Sequence, residues 1–371
     1  MEKVNVERIV SINPGSTSTK IASFIVKDDK LVREFTGTII HSSDDLKSFE
    51  EITDQFDFRK KLIINWLNEN KLQLKDIDCF VGRGGFVDPI PSGAYKVDAL
   101  MLEHLRLQKN GKHPCNLGGL IAHALAEEIG SDQAYIVDPV VVDEMCELAR
   151  ISGMPEISRL SKVHTLNHKA VGQLYAESIQ REYKDLNLVI VHMGGGISIA
   201  AHQKGKMIDV NNGLNGEGAF TPERTGGLPT GDFMDLCYSG KYTHAEMGKK
   251  IKGQGGLVAY LKTNNAQEVA QKIKQGDEYS RKIFEAMAYQ VAKDIGAYSA
   301  VLSFDVDAVL LTGGLAYNEI FCNWIIDRVR KIAPVVRFPG GDEEMALAKG
   351  VFLGLRGEKE IGNYREQMNK R

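Results

Sequence analysis

Cysteine is scarce in this 371-residue chain: Cys79, Cys115, Cys146, Cys237 and Cys322 are the five, widely spaced and without a CxxC pair. An odd, scattered set argues against a disulfide framework and predicts reduced thiols, most of them buried as small hydrophobes. No apolar run approaches membrane-spanning length, and the opening MEKVNVERIV has no apolar signal core. The expectation is a cytoplasmic protein with no membrane partner. An excess of one charge sign is also missing: the formal net charge is −3, which gives no reason to expect nucleic acid. Nothing matches GxxxxGK[ST], so a P-loop nucleotide site is excluded, and no GxGxxG opens a helix near the start. What remains is ordinary globular material, 43% apolar and 26% charged, long enough to favour two domains over one.

Two stretches share one layout. Residues 187–211 run as an apolar strand, a break at His192-Met193-Gly194-Gly195-Gly196, a second strand, a Lys204-Gly205 turn and a third strand. Residues 8–35 repeat this, with an apolar run ending at Asn13, a turn at Pro14-Gly15-Ser16-Thr17-Ser18-Thr19, and a hairpin at Asp28-Asp29-Lys30. Laying Asn13 on His192 puts Gly15 on Gly194 without a gap. Adjacent glycines let backbone N–H groups approach an anion, so each turn is a candidate phosphate cradle. Two such units half a chain apart predict two domains of one design, each offering a polar turn to a shared cleft.

Between and beyond them the pattern is α/β. Residues 42–70 are apolar at helical spacing, with Phe58, Leu62, Ile63, Trp66 and Leu67 on the inner face. A strand then runs into Gly82-Arg83-Gly84-Gly85; an arginine among glycines suits a carboxylate or phosphate, because its planar fork binds two oxygens. Helices are predicted over 98–110, 116–129 and 170–184, the last joining the two halves. The strand 134–137 ends at Asp138, with Asp143 close behind; each is a candidate metal carboxylate or a helix cap. His164-Thr165-Leu166-Asn167-His168 has two histidines four apart but lacks the glutamate of a zinc-protease motif, so a histidine that donates to an anion is the better reading. Residues 212–232 are too rich in glycine and proline for helix or strand and are read as a functional loop. A long helix over 279–303 carries a core stripe of Ile283, Met287, Val291, Ile295, Tyr298 and Leu302. The strand 307–311 ends in Thr312-Gly313-Gly314, and helix, strand and a closing helix from Asp342-Glu343-Glu344 follow.

Two hairpin turns with a Gly-Gly turn resemble the superfamily of actin, the heat-shock chaperones and the sugar kinases. Within it the chain is similar to the acetate and butyrate kinases, the acetokinase family, over nearly its whole length. The resemblance rests on Asn13-Pro14-Gly15-Ser16-Thr17-Ser18-Thr19-Lys20, Val163-His164-Thr165-Leu166-Asn167-His168-Lys169, His192-Met193-Gly194-Gly195-Gly196, Thr312-Gly313-Gly314-Leu315-Ala316-Tyr317-Asn318 and Asp342-Glu343-Glu344-Met345-Ala346, five motifs in order. It implies two duplicated actin-like (ribonuclease H-like) domains with a mixed five-stranded sheet each and an ATP cleft between them. The expected division is 1–174 with 351–371, and 175–350. By the same resemblance Asn13, Gly15, Ser16, Thr17, Lys20, His192, Gly194, Gly195, Gly196, Gly313, Gly314 and Asn318 bind ATP. Arg83, His164, His192, Asn13 and Asp138 are catalytic, and Asp138 with Glu343 or Glu344 holds Mg²⁺.

Departures from the pattern carry information. Gly227-Leu228-Pro229-Thr230-Gly231-Asp232 lacks an arginine that acetate kinases have there, and Arg224 is the candidate replacement. Where acetate kinases wall a methyl pocket with valine and phenylalanine, this chain has a contracted loop after Arg83 and Val163 before the motif histidine. Together with Pro222 these imply a wider pocket and a butyrate-sized substrate. The implied reaction is ATP plus a short aliphatic acid giving an acyl phosphate and ADP. Acetate, propionate or a branched-chain acid stays open as the acceptor. An ATP-driven conformational switch of the actin type is the alternative from another class, and a sugar or polyphosphate phosphotransferase a third. A homo-oligomer is expected, with residues 90–107 readable either as interface or as core.

Overall fold

The computed structural model describes residues 6–370, apart from the side chain of Ser43; the first five residues of the opening segment lie outside the described residues. The chain forms two compact units, Met1–Val142 with Asp342–Arg371, and Asp143–Gly341.

The first unit is built on β1 (Arg8–Pro14), β2 (Ser18–Lys27), β3 (Lys30–Ile40), β4 (Cys79–Arg83), β5 (Ala94–Lys96), β6 (Ala134–Val137) and β12 (Ile361–Gly362). The second is built on β7 (Asn187–Met193), β8 (Ile197–Gln203), β9 (Lys206–Val210), β10 (Ala308–Gly313) and β11 (Val335–Pro339). Strand order among the described residues is β12-β5-β6-β4-β1-β2-β3 in one sheet and β11-β10-β7-β8-β9 in the other. In each sheet a hairpin and a third antiparallel strand lie on one side and parallel strands on the other, save that β5 runs antiparallel to β6 in the first. The second sheet has the five strands expected. The first has seven, because the short strands β5 and β12 extend it beyond β6. Three and two residues are too short to show a strand period, so 89–96 reads as irregular in sequence.

Consecutive apolar residues in the central strands follow from cover on both faces. In β7, Val189 and Val191 face a core that includes Met287, Val291 and Ile295 of the helix Glu278–Val301. Leu188 and Ile190 face Val171 and Tyr175 of the helix Thr165–Ser178. Each such side chain, fully withdrawn from water, contributes about 1.5–3 kcal/mol. The predicted stripe is therefore core, as expected.

The unit boundaries differ from those expected at 174 and 350. Helix Thr165–Ser178 spends its apolar face on the second sheet, so it belongs wholly to that unit rather than joining the halves. Helix Glu343–Leu355 buries Leu347, Ala348 and Val351 against the first sheet, and Gly350 lies directly on Val137 of β6. Residues 90–107 resolve as core: Ile90, Val97, Met101 and Leu105 are buried, with Leu107 exposed. A helix at Thr230–Tyr238 begins inside the segment read as loop.

Candidate active site

Parallel strands deliver their last residues to one edge of a sheet, where open α/β sheets bind ligands. In the first unit β1, β4 and β6 are adjacent and in register, Ile12 beside Gly82 and Arg83 beside Val137. Asn13, Arg83 and Asp138 therefore share that edge. Asn13 is buried, and its amide is used at both ends: Oδ1 accepts from Arg83 Nη1 at 3.2 Å, and Nδ2 donates to Glu343 at 2.7 Å and Glu344 at 3.1 Å. Arg83 also pairs with Glu343 at 3.0 Å, with both side chains mostly buried. Asp342 caps the helix that carries both glutamates. Asp138 lies in the left-handed region, φ 42°, and its Oδ1 accepts from Ser92 Oγ at 2.6 Å and Gly93 N at 2.8 Å. Glu343 and Glu344 meet at one amide, an all-oxygen donor set that suits a hard divalent cation sharing phosphate and water ligands. Among the described residues no group of three or more His, Cys, Asp or Glu is placed to hold a metal ion.

The first candidate phosphate turn has an unforeseen support. Arg59 is fully buried, and its guanidinium donates to Gln55 Oε1, to Thr19 Oγ1 and to the Ser18 carbonyl. The Ser18 carbonyl also accepts from Gly15 N at 2.7 Å, which closes the turn. The partners in these bonds are neutral, and burial lowers the Arg59 pKa to about 10. The signal was present: Arg59 stands four residues before Ile63 and eight before Leu67, on the stripe both occupy. Ser16, Thr17 and Lys20 are exposed on this turn and the strand after it.

In the second unit the His164 and His192 rings stack with centroids 4.0 Å apart and planes 16° apart. His192 Nδ1 donates to Asn167 Oδ1 at 2.8 Å, and His164 Nδ1 contacts Ser198 Oγ at 3.0 Å. Each ring is thus anchored through Nδ1, so its orientation is set by residues of the same motif and the same hairpin. Val163, which precedes His164, is buried, as is Pro222.

The glycine turn 194–196 closes with Gly194 N donating to the Gly196 carbonyl at 2.9 Å. Arg224 packs its guanidinium on Gly196, where a Cβ would collide with it, and Nη1 donates to the Gly213 carbonyl. Its Nε is buried without a hydrogen-bond partner, and burial lowers its pKa. Thr221 Oγ1 donates to the Gly195 carbonyl at 2.7 Å, so the loop before Arg224 is tied to the same turn. At the end of β10, Gly313 has φ 84°, and any Cβ would strike the Met193 backbone. Its N–H and C=O pair with Gly340, which fixes the Gly313-Gly314 turn. Asn318 caps the helix Glu319–Val329 by accepting from Phe321 N.

A model of the acetokinase family matches residues 157–331. Butyrate kinases 1 and 2 of Clostridium acetobutylicum are 51% and 50% identical over 358 residues, spanning 96% of this chain and 99% of each relative. Among solved structures, an acetate kinase of Porphyromonas gingivalis superposes with a TM-score of 0.75 at 18% identity, over 92% of this chain and 98% of that one. A propionate kinase of Francisella tularensis gives 0.70 at 20% identity, over 93% and 98%. At these identities the structures speak for the fold alone.

Proposed function

The chain belongs to the acetokinase family, and from that premise we propose that it transfers the γ-phosphoryl group of ATP to butanoate, giving butanoyl phosphate and ADP. The likeness to two butyrate kinases over almost the whole chain carries this reading. A carboxylate oxygen attacks the γ-phosphorus, and the bond from that phosphorus to the bridging oxygen of ADP breaks. The nucleophile is already an anion, so the protein's work is positioning and charge neutralisation rather than strong base catalysis. Arg83 holds the acid's carboxylate. Asn13 contacts the γ-phosphoryl group, and His164 and His192 donate from Nε2 to phosphoryl oxygens. With Nδ1–H given to Asn167, His192 donates from Nε2 only as the imidazolium, which adds a positive charge where negative charge develops. The turns at Gly15–Thr17 and Gly194–Gly196 face the phosphates, with Lys20 beside the first and Arg224 beneath the second. Gly313, Gly314 and Asn318 receive the adenosine. Glu343 and Glu344, with Asp138, would hold Mg²⁺, whose charge would screen the phosphates. Val163 and Pro222 wall the acyl chain. The same reading expects a homo-oligomer, which sedimentation equilibrium measures.

The test is acyl-hydroxamate formation with MgATP across formate, acetate, propionate, butyrate, valerate and isobutyrate. The expected result is a kcat/KM maximum at four carbons. A maximum at acetate keeps the chemistry and removes the pocket assignment. No product with any acid removes the kinase reading and favours the ATP-driven switch.

A further inference from the structure

Behind the stacked histidines lies a buried chain of polar groups that the reaction above does not use. Ser198 Oγ, bonded to His164 Nδ1, also meets His168 Nε2 at 2.9 Å. His168 Nδ1 meets His202 Nε2 at 3.2 Å, and His202 Nδ1 meets the Tyr183 hydroxyl at 2.7 Å. Ser198, His168 and His202 are all fully buried. The Tyr183 ring rests on Gly172, where a side chain would collide with it, and the ammonium of the buried Lys169 lies 5.9 Å from the ring centroid. The far end of the chain is therefore held as firmly as the near end.

The direction of the chain follows from its far end. A phenol donates far better than it accepts, so the Tyr183 hydroxyl gives its hydrogen to His202 Nδ1. His202 then carries its own hydrogen on Nε2, facing His168 Nδ1, and His168 carries its hydrogen on Nε2, facing Ser198. Burial, with the charge of His192 next, pushes His168 well below the usual histidine range, and burial does the same to His202. Both rings are neutral and carry one proton each. His168 Nδ1 is then a lone pair and accepts from His202 Nε2–H. His202 Nδ1 in turn accepts from the Tyr183 hydroxyl. At the other end Ser198, receiving from His168, gives its own hydrogen to His164 Nδ1.

We propose that the chain Tyr183–His202–His168–Ser198 is a tautomer relay: every member donates toward His164, which places the His164 proton on Nε2. These four are positioning residues, acting through His164. The proposal rests on His164 donating to the phosphoryl group, as argued above. An Nδ1–H tautomer would present a lone pair to the anionic oxygens and repel them. Loss of the relay should therefore lower kcat and leave ground-state affinity for MgATP and butyrate nearly intact.

The experiment is ¹⁵N NMR of the histidine-labelled, full-length protein, in which imidazole shifts distinguish the two tautomers; His164→Gln assigns the His164 signals. In the parent protein His164 should be the Nε2–H form. Ser198→Ala should shift it toward Nδ1–H and lower kcat about tenfold to a hundredfold, within what a positioned proton donor contributes, with both KM values changed less than about threefold. Tyr183→Phe, at the less buried end, should give a mixed tautomer and a smaller kcat loss. Ser198→Thr, which restores the hydroxyl, should recover the Nε2–H form. An Nδ1–H His164 in the parent protein, or an unchanged tautomer in both Ser198→Ala and Tyr183→Phe, overturns the relay. The tautomer is read without turnover, so these outcomes stand even if full activity in His164→Gln removes that histidine from the mechanism.

Discussion

The hairpins β1–β2 and β7–β8 have the same place in the same strand order, yet they carry opposite kinds of chemistry. The residue across from Asn13 is Lys20, exposed, while the residue across from His192 is Ser198, buried in the histidine chain. The first turn is one residue longer, so the ungapped overlay read from the sequence holds for β1 and β7 and slips in the following strands. At the first edge a guanidinium, an amide and two carboxylates interlock. At the second, two stacked histidines and three glycines prevail. The two copies keep one place in the strand order while their side chains differ, one edge joining an arginine to two carboxylates and the other stacking two histidines beside a glycine turn.

The sharpest way to break this comparison is to remove one charged or donor group from each copy. Arg83→Ala and His192→Ala should both fold normally and lose about 10²–10³ in kcat, roughly 3–4 kcal/mol of transition-state stabilisation. Arg83→Ala should also weaken selection among acids, which His192→Ala should leave alone. Steady-state kinetics with ordinary values for Arg83→Ala takes that residue out of the site.

A second pair of changes probes what supports each turn. Arg59→Met leaves Gln55 Oε1 buried without its donor and takes one of two partners from Thr19 Oγ1, which keeps His41, and should cost about 2–3 kcal/mol in urea denaturation. An undiminished midpoint is incompatible with the buried buttress. Under the second turn the discrimination is steric. Gly196→Ala must displace the Arg224 guanidinium, whereas a Cβ at Gly195 meets nothing nearer than 3.6 Å. Turnover should fall about tenfold or more in Gly196→Ala, because small displacements at a reacting centre are costly, and fall less in Gly195→Ala. Equal effects mean that Arg224 is not braced there.

The smallest effect is in the pH dependence of stability. Burial, and then Arg59, lowers His41 in the first unit to about 4, while burial lowers His168 and His202 in the second. The unfolded chain takes up protons on these histidines below a pKa of about 6.5, and the native protein does not. Stability is therefore complete above that pH and declines as pH falls below it, by about 1.4 kcal/mol per pH unit for each such histidine. With two against one, hydrogen exchange at pH 5.5 should loosen the second unit first. Equal loss in both units removes the asymmetry.

Much of this was legible in the sequence. Apolar runs ending in Asn13, Arg83, Asp138, His192 and Gly313 announce parallel strands whose ends form an edge, and the edges are where the structure puts them. The motif at 342–344 was legible too, and the structure sets both glutamates on the Asn13 amide. What was hidden depends on packing between distant segments. No local pattern says that the stripe Arg59 shares with Ile63 and Leu67 packs beneath residues 18 and 19, that helix Thr165–Ser178 spends its apolar face on the second sheet, or that His202 points back at His168. Strands of two and three residues carry too few side chains to announce themselves.

The Arg83–Glu343 pair has a consequence for how the proposed substrate is taken up. Under the proposed roles, an acid arriving at Arg83 would find a tethered carboxylate already in place, and would trade one ion pair for another instead of filling an empty cation site. Glu343 would keep the Asn13 amide as its partner after leaving Arg83. Uptake of the acid and readiness for the metal would then be coupled through one side chain.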